Sequence, residues 1–350
     1  MPITIFTPDQ LRINVEVASQ GKNTVMYDNG GYPSIMVVIP SFNLNTIDAG
    51  WAATPHPAFT VGGVAKSYIY IAKYQASITD TRAVSVPGKA PVTSINFTNS
   101  LAACAAKGAG WHLMTNAEWA AVALWCWKNG FQPRGNTGYG QSSDLTSEIG
   151  RRVDGLAPGY SGSGGVCYSG SGPIGWNHDN TPFGISDLNG NVWEWVGGMR
   201  QNVGEIQVIQ DNNAADNTVD QTSGSAAWKA MLQDGSLVAP GTSLSLKYDD
   251  LSGAATVNTV ITGSGSPSRT FESLPAAGGV TIPPLLKQLC LFPPETGLSS
   301  DYFYLNNGIE GIPLRGGCWT GGSNAGVFDL ILNYDRSNAY SNIGFRPAFV

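Results

Sequence analysis

Cys318, His56, His112 and His178 are the side chains best suited to ligate a metal or attack a substrate, yet their spacing assembles no recognisable reaction site. The five cysteines, Cys104, Cys126, Cys167, Cys290 and Cys318, are odd in number and scattered, which argues against a disulfide framework or a CxxC-type metal site. Cys104 and Cys126 read as small buried apolar residues. No Gly-x-Ser-x-Gly elbow is present, and no Gly-Lys-Ser/Thr follows the glycine-rich run at residues 159–172, so that run reads as loop. The C-terminal stretch carries a different chemistry, that of contact. Phe328, Leu330 and Leu332 alternate with Asp329, Ile331 and Asn333, the period of a strand with one buried and one outward face. Beside this alternation lie Tyr334, Asp335, Asn338, Ala339, Tyr340 and Ser341. Rigid aromatics among small polar residues are the composition of antibody binding loops, where area and adaptable hydrogen bonds are combined.

Whatever displays that stretch must be built from a loop-rich chain. Among 350 residues there are 44 glycines and 21 prolines, and only 13% are charged, which points to many tight turns rather than a helical bundle. The length can bury a sizeable core in one large or two ordinary domains. A net charge of −6 with no basic stripe excludes nucleic acid as an expected partner. No 18-residue apolar run occurs, so membrane insertion is not expected. The start, MPITIFTPDQLRINVEV, lacks the basic, apolar and small-residue parts of a signal peptide, and the expectation is synthesis and folding in a cytoplasm.

Residues 34–40 read as a strand bounded by Gly30, Gly31, Pro33 and Pro40, within a stretch, residues 1–60, expected to be an N-terminal extension or small subdomain. Residues 66–78 alternate Tyr68, Tyr70, Ala72 and Tyr74 with Ile69, Ile71 and Lys73, predicting a second strand with large side chains on both faces. A helix follows, with Thr98 or Asn99 as its cap and Gly108 beyond its end. The next is better marked: Thr115 and Glu118 form a capping box, Trp119, Val122, Ala123 and Cys126 share a face, and Gly130 follows the last turn. Asn189-Gly190 marks a tight turn before Trp193 and Trp195, which flank Glu194 on a predicted strand. About 201–310 is a long insertion with few clear periods. Trp228, Leu244, Leu246, Phe292, Tyr302, Phe303 and Tyr304 offer it apolar anchors for packing on a core.

Three blocks, the strand of residues 68–78, the helices ending in GWHLMTNAEWAAVAL, and SDLNGNVWEWV followed by RGG and GFRP, resemble the formylglycine-generating enzyme branch (sulfatase-modifying factor type) of the C-type lectin fold. The resemblance implies an α+β domain over residues 61–350, with two helices packed on small, twisted, mostly antiparallel sheets. The frame RGG-x-W-x-x-GSNAGVF-x-L-x-L-x-x-x-RSN-x-x-x-NIGFRPA resembles the variable region, about 315–350, of diversity-generating retroelement target proteins, which use the same fold. In that family a template repeat is copied with errors at adenines, and AAY codons for Asn become codons for Thr, Asp, Ile, Tyr, Ala or Ser, or remain Asn. Those residue types stand at Thr320, Asp329, Ile331, Asn333, Tyr334, Asp335, Asn338, Ala339, Tyr340 and Ser341, and Gly321 fits as well. The resemblance therefore implies a hypervariable protein, phage- or prophage-encoded, that binds a bacterial surface protein or glycan. Gly316, Gly317, Trp319, Phe328, Leu330, Leu332, Gly344 and Phe345 would be its invariant scaffold, and copies could be displayed together on a virion tail.

The same resemblance carries enzymes, which the residues disfavour. Formylglycine-generating enzymes hold copper with two cysteines after RGG, where this chain offers Cys318 alone, and one thiolate is a poor copper site. The related sulfoxide synthases use clustered histidines, and the three here are isolated. Lectin calcium loops contain Glu-Pro-Asn or Gln-Pro-Asp, and neither occurs. No catalytic residue and no required cofactor are expected; the resemblance allows a structural calcium at Asn191 and Glu194, against which stands a simple pairing of Glu194 with a buried arginine. The alternative function is a non-variable structural or attachment protein of a phage tail, followed by an oxidase of the formylglycine-generating type.

Overall fold

The computed structural model describes residues 9–350, and within it the beginning and end of that range share one sheet. Its five antiparallel strands run in the order Asn23–Tyr27, Pro33–Pro40, Tyr68–Ala72, Pro347–Phe349 and Trp111–Leu113. Residues 23–40, read as an extension or subdomain, supply two of those strands. The first eight residues, including part of the stretch read for a signal sequence, lie outside the described range. In Tyr68–Ala72 the alternation is realised as one buried face, with Ile69 and Ile71 fully buried, while Tyr68 is 50% exposed. The face carrying the tyrosines is covered only in part. The strand also stops at Ala72, and Ser77–Thr79 pairs separately with Arg82–Val84.

Thr115 and Glu118 close the capping box at the start of helix Asn116–Lys128. Alanines at positions 117, 120, 121 and 123 let neighbours approach on every side, so this helix is buried around its circumference instead of along one stripe. The preceding helix, Phe97–Ala105, is capped by Asn96, whose side chain accepts from the Asn99 amide, rather than by Thr98 or Asn99. Two further helices, Gln10–Ser19 and Pro284–Gln288, were not expected. No helix among the described residues is long and apolar enough to cross a membrane.

The stretch at 201–310 folds into the body of the molecule. Met199–Asn202, Glu205–Ile209, Trp228–Met231 and Leu237–Val238 form an antiparallel sheet, extended by Glu310–Gly311 and by the hairpin Lys247–Leu251 with Ala254–Asn258. Trp228, Leu246, Tyr248 and Phe303 are fully buried anchors. Leu244, expected among them, is 58% exposed and sits in a turn at positive φ. A third sheet is mixed, in the order Ser268–Thr270, Tyr302–Leu305, Leu330–Leu332, Leu314–Arg315, Trp193–Trp195 and Ile343–Phe345. Two of its pairings are parallel, that of Tyr302–Leu305 with Leu330–Leu332 and that of Trp193–Trp195 with Ile343–Phe345. Trp195 is fully buried and donates to Ile95 O, whereas Trp193 is only half-buried, so the two do not anchor equally.

His56 is buried with Nε2 at 2.8 Å from Gln288 O and Nδ1 accepting from the Ala58 amide, an arrangement for the neutral ring. Burial lowers its pKa to about 4, and that of His178 likewise. A ring whose folded pKa is depressed contributes stability present above the unfolded value and lost as pH falls from about 6.5 towards 4. Asp187, Asp301 and Asp329 act in the opposite sense, because burial raises their pKa values. The whole-chain profile is thus a difference. His56→Gln should gain roughly 1–2 kcal/mol relative to the native chain when urea melts at pH 7.5 and pH 5 are compared. An unchanged gap between the two chains at both pH values would contradict a buried neutral His56.

Candidate functional site: the C-terminal face

The frame of the C-terminal segment is held from beneath. Arg315, fully buried, donates to Asn116 Oδ1 at 2.7 Å, Cys290 O at 2.9 Å and Asp329 O at 3.1 Å. Desolvation pushes its pKa down to about 10, and those carbonyl and amide oxygens satisfy its donors. Gly317 has φ +81° and a Cβ there would lie 2.3 Å from Ala325 Cβ, so the turn requires glycine. Phe328 stacks on Phe271 at 6.1 Å and is fully buried, as are Leu330, Leu332 and Phe345. Trp319 is also buried, and its amide donates to Asn191 O at 3.0 Å.

Above this frame the expected contact residues divide. Thr320, Ala339, Tyr340 and Ser341 are exposed, and Asn333, Tyr334, Asp335 and Asn338 are partly so. The Tyr334 and Tyr340 rings lie 5.3 Å apart, and Tyr340 is 48% exposed. Its carbonyl accepts from the Ser94 and Ile343 amides, which pins the backbone while leaving the ring free. Asp335 and Asn338 shape the loop itself: Asp335 accepts from the Ser337 amide and hydroxyl, and the Asp335 amide donates to Asn338 Oδ1. The Ser337 hydroxyl holds the Asp335 carboxyl below its ordinary pKa. Arg336, next to them, is tied to Glu310 at 2.7 and 2.8 Å.

Asp329 and Ile331 do not face solvent. They are 1% and 5% exposed, against the expectation of an outward set. Leu330–Leu332 is an interior strand, paired on one side with Leu314–Arg315 and on the other with Tyr302–Leu305 from the long insertion. Asp329 accepts from the Tyr302 and Gly326 amides, and burial beside Asp301 raises its pKa well above the carboxylate range. Gly321 is also constrained, since a Cβ would approach Ala325 Cβ to 2.8 Å.

Two apolar anchors of the insertion, Tyr302 and Tyr304, also lie beside this segment. Tyr302 and Tyr304 flank the buried Phe303 and are half-buried, with ring centroids 6.3 Å apart, and Tyr304 is in register with Ile331. Their alternation was visible in YFYL, but its neighbour across the sheet was not. Asn333 Oδ1 is buried without a hydrogen-bond partner among the described residues.

Residues considered for metal or redox chemistry stay apart. Cys318 Sγ lies 3.3 Å from Thr320 Oγ1 and accepts from Asn342 Nδ2 at 3.5 Å. His112 Nε2 pairs with Glu118 Oε1 at 2.9 Å, and His178 Nδ1 accepts from the Ile185 amide. No group of three His, Cys, Asp or Glu that could hold a metal occurs among the described residues. Asn191 and Glu194 do not fit calcium. Glu194 is bound at both oxygens by Arg346, at 2.7 and 3.0 Å, and Asn191 Oδ1 accepts from Asn136 Nδ2 and the Cys167 amide. Gln75 Nε2 occupies the adjoining oxygen cage, donating to Val192 O and Glu194 Oε1 at 3.0 Å and to Asp187 O at 3.2 Å.

Residues 62–229 match the family model of the sulfatase-modifying factor enzyme 1-like domain. That match covers the strand, helix and WEW blocks, and the C-terminal segment lies outside it. A search of curated proteins finds no match. Among solved structures, Treponema denticola variable protein 1 is similar at 15% identity, covering 93% of this chain and 98% of that one, with a TM-score of 0.38. The Major Tropism Determinant U1 variant matches at 13% identity over 93% and 71% of the two chains, with a TM-score of 0.32. PvdO from Pseudomonas aeruginosa matches at 14% identity over 93% and 97%, also at 0.32.

Proposed function

We propose that this chain, a sulfatase-modifying factor enzyme 1-like scaffold over residues 62–229, is a variable protein of a diversity-generating retroelement that binds a ligand through its C-terminal face. The observation that carries this reading is the separation within one short segment. Phe328, Leu330, Leu332 and Phe345 are fully buried, while residues 333–341 form a partly to fully exposed loop on a pinned backbone. Substitution in such a loop leaves the core untouched, which is what a surface that changes between copies requires. Tyr334 and Tyr340 are its aromatic anchors, on the order of 2 kcal/mol each if covered centrally by a partner. Thr320, Asn333, Asp335, Asn338, Ala339 and Ser341 tune what it accepts. The partner in this reading is a protein or glycan on a bacterial surface, met by several copies displayed on a phage tail, where tethering makes later contacts intramolecular.

The deciding test is the DNA around the gene. A near-copy of the codons for residues 315–350, differing chiefly at adenines and accompanied by a reverse-transcriptase gene, is the expected finding. Without that repeat, weight moves to a fixed attachment protein of the same fold. Alanine at Tyr334 and Tyr340 should then abolish assembly rather than adhesion to bacterial cells at unchanged melting temperature.

A further inference from the structure

Where the end of the long insertion meets the C-terminal segment there is a cavity of about 480 Å3, lined by Asp144, Asn189, Ser300, Asp301, Ser323 and Gly326 among others. Its walls present oxygen. Asp301 is 2% exposed, and its Oδ2 accepts from the Phe328 amide at 2.7 Å. Asp329 lies behind it, also buried, and among the described residues no Lys, Arg or His nitrogen forms an ion pair with either carboxylate. Arg134 lines the cavity too, but its guanidinium is committed to Glu148 at 2.5 and 2.9 Å. Asn189 is 6% exposed; its Nδ2 donates to Pro133 O at 2.8 Å, and its buried Oδ1 has no hydrogen-bond partner among the described residues.

A buried carboxyl without a counter-charge ionises only at a cost, and a buried amide oxygen without a donor is unsatisfied; one positively charged ligand relieves both. We propose that this cavity binds a divalent cation, calcium by its oxygen chemistry, through the Asp301 carboxylate and Asn189 Oδ1, with Asp144 adding charge and water completing the shell. The cavity is lined by neither cysteine nor histidine, which disfavours zinc and copper. Calcium accepts six to eight oxygens in irregular geometry, whereas magnesium demands a tight octahedron that a cavity of this size does not impose. This site is separate from Asn191 and Glu194, whose oxygens are occupied by Arg346, Gln75 and Asn136. Its consequence is mechanical: the ion ties Asp301, on the insertion, to Asn189 beneath the C-terminal frame.

The test uses the full chain dialysed against chelator at pH 7.5, melted with CaCl2, with MgCl2, and with NaCl at matched ionic strength. Calcium near a hundredfold excess over its dissociation constant should raise the melting temperature by roughly 2–4 °C or more, and magnesium by less. Asp301→Asn, which keeps an acceptor for the Phe328 amide while removing the charge, should melt normally in chelator and lose the calcium response. Asp144→Asn, on an exposed residue, should weaken it. No calcium response in the native chain, or an undiminished one in Asp301→Asn, overturns the site; an equal response to magnesium overturns its assignment to calcium.

Discussion

Replacing Arg346 with methionine should destabilise the chain by about 3–5 kcal/mol, the largest single-residue effect expected here. Arg346 is fully buried and grips Glu194 with two nitrogens at 2.7 and 3.0 Å. Its remaining donors reach Ala72 O, Lys73 O and Ser186 O at 2.9–3.0 Å. One side chain thereby joins the C-terminal strand, the central strand Tyr68–Ala72 and the loop before Trp193. Methionine fills much of the volume but leaves Glu194 as a buried charge whose remaining side-chain donor is Gln75, and takes a donor from three carbonyls, of which Lys73 O keeps the Ser186 amide. Urea denaturation reads the effect, and a loss under about 1 kcal/mol would show that the network is not holding these elements together. Glu194→Gln in the same background should recover part of the loss, because it removes the uncompensated charge.

A second pair of substitutions tests the division of the C-terminal segment. Asp329→Tyr should cost about 3 kcal/mol or more, whereas Tyr340→Asp should stay within about 0.5 kcal/mol of the native chain. Asp329 accepts from the Tyr302 and Gly326 amides and its Oδ2 is 3.1 Å from the position a Cβ on Gly317 would take, so a phenol ring has no room and two amides lose their acceptor. Tyr340 is 48% exposed and its structural contribution is made by its backbone. Equal melting temperatures for the two variants would return Asp329 to the freely variable set. If the template repeat proposed above varies codon 329, this difference predicts that many of the encoded proteins fold poorly.

Much of the scaffold was legible because its signals are local. Thr115 and Glu118 cap the same helix turn they belong to, Gly190 bends the chain at φ +75°, and the alternation from Phe328 to Leu332 contains the strand Leu330–Leu332, with Phe328 in the turn before it. The buried members of the C-terminal frame, Trp319, Phe328, Leu330, Leu332 and Phe345, could be read the same way. The role of the insertion could not. Its strands Tyr302–Leu305 and Met199–Asn202 pair with partners far along the chain or across short turns that leave little period to detect.

The sequence by itself determined that the chain ends in an apolar frame carrying a loop of tyrosine, asparagine, serine and aspartate, because residue type and spacing suffice for that. Only the tertiary structure decided which of those polar residues reach solvent. A lone alternating strand with one face on a core exposes the other. Here the other face is covered as well: Leu330 and Leu332 pack in one core with Trp119 and Phe303, Ile331 packs in a second with Trp195, Leu314 and Phe345, and Asp329, just before the strand, turns in to accept from the Tyr302 and Gly326 amides, while residues 333–341 remain partly to fully exposed. Burial is a property of what packs against a residue, and here the second face is packed by residues as far along the chain as Phe97 and Trp195, which no local pattern can announce.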